Sequence, residues 1–265
     1  MIQNITTMRL KEEMPMNQIA VLCVCALALS VFGFLWPNQA TAGQAFEEDV
    51  FATSAGELKI TFLGHGSLIL AFGGKIIHVD PYGKTADYAA LPKADAVLVT
   101  HEHQDHLDRA ALGTILKPDT ELILSRKSAE AYGKGTALEN GETTTVLGIP
   151  LRAVPAYNII HKRDTGQPFH PKGEGNGYIL TFGDTTVYIA GDTENTPEMK
   201  ALSGITIAFL PMNLPYTMSP EMVADAARAF RPKIVYPYHY GRTDARKLEE
   251  LLAGSGIEVR VRKME

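Results

Sequence analysis

From Leu58 onward the chain breaks into short apolar bursts, Leu58 to Phe62, Leu68 to Phe72 and Lys75 to Val79, separated by Gly64-His65-Gly66 and Gly73-Gly74. Bursts this short, with β-branched residues and glycine punctuation, predict strands joined by tight turns. Another buried-looking strand, Ala96 to Thr100, runs into a polar cluster, and Leu107 to Leu116 follows with a helical pattern. The second half repeats the order, with strands predicted at Leu151 to Pro155, Gly177 to Phe182, Thr186 to Ala190, Ile205 to Pro211 and Ile234 to Tyr238. The clearest helix is Ser219 to Phe230: Ser219 is placed as N-cap, Pro220 at the first helical position, and Met222, Val223, Ala226, Ala227 and Phe230 share one face. Two sets of strands, each accompanied by amphipathic helices, predict an α/β (α+β) fold of two sheets packed face to face with helices outside. No fixed-period repeat divides the chain, so one domain is expected over residues 56–265, preceded by a polar linker over 43–55.

The N-terminus has a different pattern. Ile19 to Trp36 is an uncharged apolar run preceded by Arg9 and Lys11 and followed by Pro37, and Ala40-Thr41-Ala42 supplies small residues for cleavage after Ala42. Residues 1–42 are therefore expected to be a signal peptide, making the protein exported and periplasmic or secreted. Roughly 18 apolar residues also just span a bilayer, so an uncleaved anchor is the alternative, and a membrane is an expected partner only in that case. Both cysteines, Cys23 and Cys25, fall inside the run, so the exported chain holds no thiol. Any metal site must then use nitrogen and oxygen ligands.

Bulk composition narrows the partners. At 45% hydrophobic and 21% charged residues, the 265-residue chain is that of a soluble globular protein. A formal charge of -5, with no Lys/Arg run, argues against nucleic acid as a partner. A small-molecule substrate is expected instead.

The candidate chemistry sits at strand ends. The stretch Thr100 to Asp108 (THEHQDHLD) holds three of the chain's eight histidines. His101 and His103 lie two apart on extended backbone and turn to one side, while Asp105 and His106 follow on the turn, a spacing that can serve two neighbouring ions. A polar loop with Asp105 capping a helix would account for any one of these residues alone, but not for the set. Two more strands end in the same kind of residue: Thr186 to Ala190 leads to Gly191-Asp192-Thr193, and Ile234 to Tyr238 leads to His239. A carboxylate such as Asp192 can bridge two cations through its two oxygens. His78, inside an apolar strand, reads as a core residue.

In this order, His101-x-His103-x-Asp105-His106, Gly191-Asp192-Thr193 and His239 resemble the metallo-β-lactamase superfamily over nearly the whole exported chain. Leu63-Gly64-His65-Gly66-Ser67, Val79-Asp80-Pro81, Ala190-Gly191-Asp192-Thr193 and Pro237-Tyr238-His239-Tyr240-Gly241 resemble most the branch of ascorbate 6-phosphate lactonase, N-acyl phosphatidylethanolamine phospholipase D and related metal-dependent hydrolases. The resemblance implies the αββα sandwich, with the site at one edge between the sheets. It implies that His101 and His103 hold a first ion, that Asp105, His106 and His239 hold a second, and that Asp192 bridges them. Asp80 would orient a ligand histidine, with a plain turn aspartate as the alternative. The branch usually places a histidine just after the segment corresponding to Val154-Pro155-Ala156, where this chain has Tyr157-Asn158. The missing ligand is expected from His170, on the glycine-rich loop before a strand, with His161 or water as the alternatives.

Two divalent ions, zinc foremost and manganese or iron also suited, would share a water, lower its pKa toward neutrality and present hydroxide to carbon or phosphorus. The resemblance points to an ester, lactone or phosphodiester substrate, with Asp105 orienting the water and His65 or Tyr240 near the developing oxyanion. The alternatives are an iron-dependent oxidoreductase of the same fold and a non-catalytic metal-binding protein.

Overall fold

The computed structural model describes residues 45–265, and the signal peptide expected over residues 1–42 lies outside them. Among the described residues, fourteen strands form two seven-stranded sheets in which every strand lies beside its sequence neighbour. The first sheet holds β1 (Glu47–Thr53), β2 (Gly56–Gly64), β3 (Ser67–Phe72), β4 (Lys75–Val79), β5 (Ala96–Val99), β6 (Glu121–Ser125) and β7 (Thr136–Leu138). The second holds β8 (Thr143–Val146), β9 (Ile149–Ala156), β10 (Gly175–Phe182), β11 (Thr185–Ile189), β12 (Ile207–Pro211), β13 (Ile234–Tyr238) and β14 (Glu258–Val259). Each sheet starts with four antiparallel strands and continues with parallel ones. The repeated grammar of the sequence is thus a repeated topology.

Apart from the irregular connection from β4 to β5, helices supply the crossovers that parallel strands need. They are α1 (Arg109–Ile115), α2 (Arg126–Tyr132), α3 (Pro197–Lys200), α4 (Pro220–Phe230) and α5 (Arg246–Leu252). The Asp108 side chain caps α1 by accepting from the Ala110 and Ala111 amides, so the helix starts after Asp108 and leaves Asp105 free. Ser219 caps α4 as its pattern predicts, and Val223, Ala226, Ala227 and Phe230 are buried. The main core joins inner-face residues of both sheets, including Leu58, Ile60 and Leu70 from the first and Tyr178, Leu180 and Val187 from the second. A second cluster packs Ala111, Leu112 and Ile115 of α1 against Val97 and Val99 of β5. β5 is buried on both faces, which is why its sequence, AVLV, does not alternate.

The expected linker over 43–55 is corrected: Glu47–Thr53 is the edge strand β1, fully paired with β2. Its signal is masked because polar residues occupy both faces. The inward Asp49 is held by Arg262 Nη2 at 2.7 and 2.8 Å and by the Tyr236 hydroxyl, so a carboxylate stands where an apolar residue would mark a strand.

His78 is fully buried in β4, as its setting predicts, donating from Nε2 to the Pro92 carbonyl at 3.0 Å while Nδ1 has no partner. Burial depresses its pKa to about 4, partly offset by that carbonyl. Unfolded His78 takes up a proton near pH 6.5, whereas folded His78 does so only near 4. Its contribution to stability is therefore complete above 6.5 and is lost as pH falls toward 4. Between pH 7 and pH 5 the wild type is expected to lose about 2 kcal/mol more unfolding free energy than His78→Leu. Urea denaturation at both pH values checks this, and equal losses would refute it.

Candidate metal centre

The pairing pattern brings the chemistry to one edge. Because β2 and β3 form a hairpin, β4 is antiparallel to β3 and β5 parallel to β4, the His65 turn, Asp80 after β4 and the cluster after β5 all emerge at one end of the first sheet. The same reasoning places the end of β9, the start of β10, and the ends of β11 and β13 together in the second sheet. Hydrogen bonds join the two edges, among them Asn176 N to Thr100 O at 2.9 Å, Asn176 Nδ2 to Leu138 O at 2.7 Å, Tyr178 Oη to Val99 O at 2.8 Å, and His239 N to His65 O at 2.9 Å. Six of the eight histidines meet there with Asp105 and Asp192.

The potential ligand atoms form three overlapping groups: His101, His103 and His170; His101, His106 and Asp192; and His65, Asp105, His106 and His239. Asp192 lies among them. Its Oδ2 stands 3.3 Å from His170 Nε2, 3.5 Å from His239 Nε2 and 4.0 Å from His101 Nε2, and its Oδ1 lies 3.6 Å from His106 Nε2. Asp105 Oδ2 is 3.6 Å from His239 Nε2 and 3.9 Å from His106 Nε2.

Local hydrogen bonds decide which nitrogen each ring presents. Asp80 is fully buried, and its Oδ1 accepts from the Thr100 amide at 2.7 Å. Its Oδ2 accepts from Thr100 Oγ1 at 2.6 Å and from His106 Nδ1 at 2.8 Å. His106 therefore carries its proton on Nδ1 and turns Nε2 to the centre. Since the Thr100 hydroxyl proton goes to Asp80, Thr100 Oγ1 accepts from His101 Nδ1 at 3.0 Å, leaving His101 Nε2 unprotonated as well. His170 Nδ1 donates to Asn158 Oδ1 at 2.7 Å, with the same result for its Nε2.

Fit to a divalent metal follows from what these atoms lack. His106 Nε2, His239 Nε2 and Asp192 Oδ1 are buried and without hydrogen-bond partners, a cost that burial normally forbids. Ligands about 2.0 to 2.2 Å from a tetrahedral zinc stand roughly 3.3 to 3.6 Å apart, close to the separations around Asp192. Charge agrees. Burial opposes a proton on His106, yet the Asp192 and Asp80 carboxylates push its pKa up to about 10. Burial would raise Asp105, but the His239 imidazole 3.6 Å away and the hydrogen bond from His65 hold it far below the ordinary carboxylate range. Burial and neighbouring imidazoles keep His101 well below its usual value, in the neutral form that binds metal. The cluster calls for positive charge at its centre, and its donors are nitrogen and oxygen.

Among the expected residues, His65, His101, His103, Asp105, His106, His170, Asp192 and His239 are brought together, with Asp80 behind His106. His65 Nε2 donates to Asp105 Oδ2 at 2.9 Å, and its ring lies 3.7 Å from that of His239. His161 is not among the grouped ligands: its Nδ1 is engaged by Glu194 Oε1 at 2.6 Å. Tyr240 is also turned away, donating to the Arg262 carbonyl at 2.7 Å. Sequence reasoning missed Thr100, Glu194, Asn213 and Arg163. Thr100 alone had a signal, as the last residue of a strand that runs into the cluster.

A cavity of about 490 Å³ opens onto the centre, lined by His65, His103, Gln104, Asp105, Arg163, Phe169, His170, Asp192, Asn213, Tyr216 and His239. Arg163 is its one Lys or Arg, stacked over Phe169 with 5.2 Å to the ring centre. Phe169 meets Tyr216 edge-on at 5.0 Å.

A family model described as the beta-lactamase superfamily domain matches residues 59–239. A UPF0173 metal-dependent hydrolase from Methanopyrus kandleri is 30% identical over 197 residues, 69% of this chain and 84% of its own length. The crystal structure of a candidate metal-dependent hydrolase from Parabacteroides distasonis aligns with TM-score 0.80 at 51% identity, covering 83% of this chain and 100% of that one. A metallo hydrolase from Ignicoccus hospitalis shares the fold with TM-score 0.63 at 22% identity, over 78% of this chain and 96% of that one.

Asp80→Asn keeps the volume but turns an amide donor toward His106 or Thr100. The His106 proton is then expected to move to Nε2 and metal affinity to fall roughly 10- to 100-fold. Chelator competition with zinc measures this, and unchanged affinity would refute the role of Asp80.

Proposed function

Because the chain belongs to the beta-lactamase superfamily, we propose that it is a metal-dependent hydrolase, exported through its N-terminal segment, that cleaves an ester, lactone or phosphodiester with two divalent ions, zinc foremost. The observation that carries this reading is the convergence of buried, unpartnered His106 Nε2, His239 Nε2 and Asp192 Oδ1 on one point beside the cavity. His101, His103 and His170 would hold one ion, Asp105, His106 and His239 the other, and Asp192 both. The metal pair, when bound, supplies Lewis acidity: it polarises the scissile group and lowers the pKa of water.

The protein groups do the rest. Asp105 lines the cavity and its carboxylate can take the proton of an attacking water. His65, donating to its Oδ2 from Nε2, keeps that carboxylate ionised and oriented. Burial lowers the pKa of His65 and favours the neutral ring that donates Nε2–H to Asp105, so the proton taken from water stays on Asp105 and passes from there to the leaving group. Asn213, its amide 3.4 Å from His239 Nδ1, also lines the cavity, while Phe169 and Tyr216 give an apolar surface. Arg163, the cavity's one Lys or Arg, suits a substrate that carries a negative charge.

Asp192→Ala is expected to abolish both metal retention and hydrolysis, and His170→Ala to weaken one ion only. Elemental analysis, paired with turnover of phosphodiester, lactone and carboxylic ester probes, checks both. If Asp192→Ala leaves metal and turnover intact, the site assignment is wrong, and one iron per chain with oxygen consumption would replace the hydrolase reading by a redox one. Arg163→Ala should raise KM roughly tenfold for bis(p-nitrophenyl) phosphate, a loss of one exposed charged contact, while leaving KM for neutral p-nitrophenyl acetate unchanged. Equal effects on both substrates would remove the case for an anionic substrate.

A further inference from the structure

At the position where this chain departs from its resemblance, Asn158 is 4% exposed and engaged at both side-chain polar atoms. Its Oδ1 accepts from the His170 amide at 2.9 Å and from His170 Nδ1 at 2.7 Å. Its Nδ2 donates to Glu194 Oε1 at 3.1 Å and to the Tyr216 carbonyl at 2.9 Å. Only one orientation of the amide is possible: flipping it would set NH2 against the His170 backbone N–H and oxygen against a carboxylate and a carbonyl. The backbone closes the same pairing, with Asn158 N donating to His170 O at 2.8 Å.

Glu194 is fully buried and takes no part in the proposed chemistry. Its Oε2 accepts from the amides of Ile159 and Ile160, each at 2.7 Å, and its Oε1 from the amide of His161 at 2.7 Å and from His161 Nδ1 at 2.6 Å, besides Asn158. A buried carboxylate with five donors is a fixed point for the loop that begins at Asn158. It lies two residues after Asp192, on the same strand end.

We propose that Asn158 is a positioning residue which, locked by Glu194, holds His170 as the Nδ1–H tautomer and aims its Nε2 at the metal. The inference rests on the reading of His170 as a ligand. In place of a ligand at position 158, the chain has an amide that orients a ligand twelve residues later, the arrangement by which an outer hydrogen bond fixes the tautomer and raises the basicity of a metal-bound imidazole. Asn158, Glu194 and His170 then act as one unit, so their removal is non-additive.

The test uses the full-length protein and zinc. Asn158→Leu, close in size and without an acceptor, should weaken one of two bound zinc ions roughly 10- to 100-fold in chelator competition and leave the other unchanged. In the metal-free protein, the ¹⁵N spectrum of His170, assigned by its loss in His170→Ala, should show one tautomer protonated at Nδ1 and become a mixture in Asn158→Leu. Glu194→Gln should weaken the same ion, and the double variant should be little worse than the poorer single one. Wild-type His170 protonated at Nε2, or unchanged tautomer and affinity in Asn158→Leu, would overturn the proposal. Should Asn158→Leu fail to fold, the wild-type tautomer and Glu194→Gln decide. If His170→Ala itself keeps both ions at wild-type affinity, the metal-site reading fails; if it loses one and Asn158→Leu loses none, only the positioning role fails.

Discussion

The buried Asp80 carboxylate is the interaction on which the centre depends. Its two oxygens hold the Thr100 amide, the Thr100 hydroxyl and His106 Nδ1, and through Thr100 they also set the proton on His101. One side chain therefore decides what two histidines present to the centre. A buried carboxylate stripped of partners costs about 3 to 5 kcal/mol, so Asp80 and its donors must form together. The backbone is strained to allow it: Asp80, His65 and His239 all have positive φ, at 42°, 54° and 46°. Such conformations cost roughly 1 to 3 kcal/mol each and persist because the surrounding bonds over-determine them.

The second constraint is approach. The edges of the two sheets must come close enough for imidazoles of the first sheet to meet Asp192, His170 and His239 of the second. A glycine makes room. A Cβ on Gly191 would lie 3.1 Å from Thr100 Cβ of the first sheet, and 2.7 Å from Asn176 O in its own. At Gly191 the backbone also has φ +65°, so the residue just before the bridging carboxylate is glycine for two independent reasons.

The loop from Asn158 to His170 combines duties that its composition does not announce. It carries a ligand candidate at one end and the amide that orients it at the other, and between them Arg163 on the cavity wall and the exposed side chains of Ile159 and Ile160. Tyr216 and Leu214, also exposed, lie on the loop after β12, tied to the first by the bond from Asn158 to the Tyr216 carbonyl. Tyr216, which lines the cavity, is thus held by the same braces as the centre.

Much of this was legible in the chain. Strands at Lys75 to Val79 and Ile234 to Tyr238 and the helix after Ser219 follow from local rules of glycine punctuation, burial and capping, because each signal lies within a few residues of the element it predicts. The crowding of His101, His103, Asp105 and His106 at one strand end likewise announced a metal-like cluster. β1 was hidden because its inward Asp49 is satisfied by Arg262, more than two hundred residues away. The choice of His170 over His161, the turn of Tyr240 away from the cavity, and the linkage of Asp80 through Thr100 to two histidines depend on which groups meet across the sheets. Sequence by itself determined the elements and the residue types that crowd their ends, since these are set by neighbours along the chain. Tertiary structure alone decided which nitrogen of each histidine faces the centre, since that is set by hydrogen-bond partners brought from distant segments.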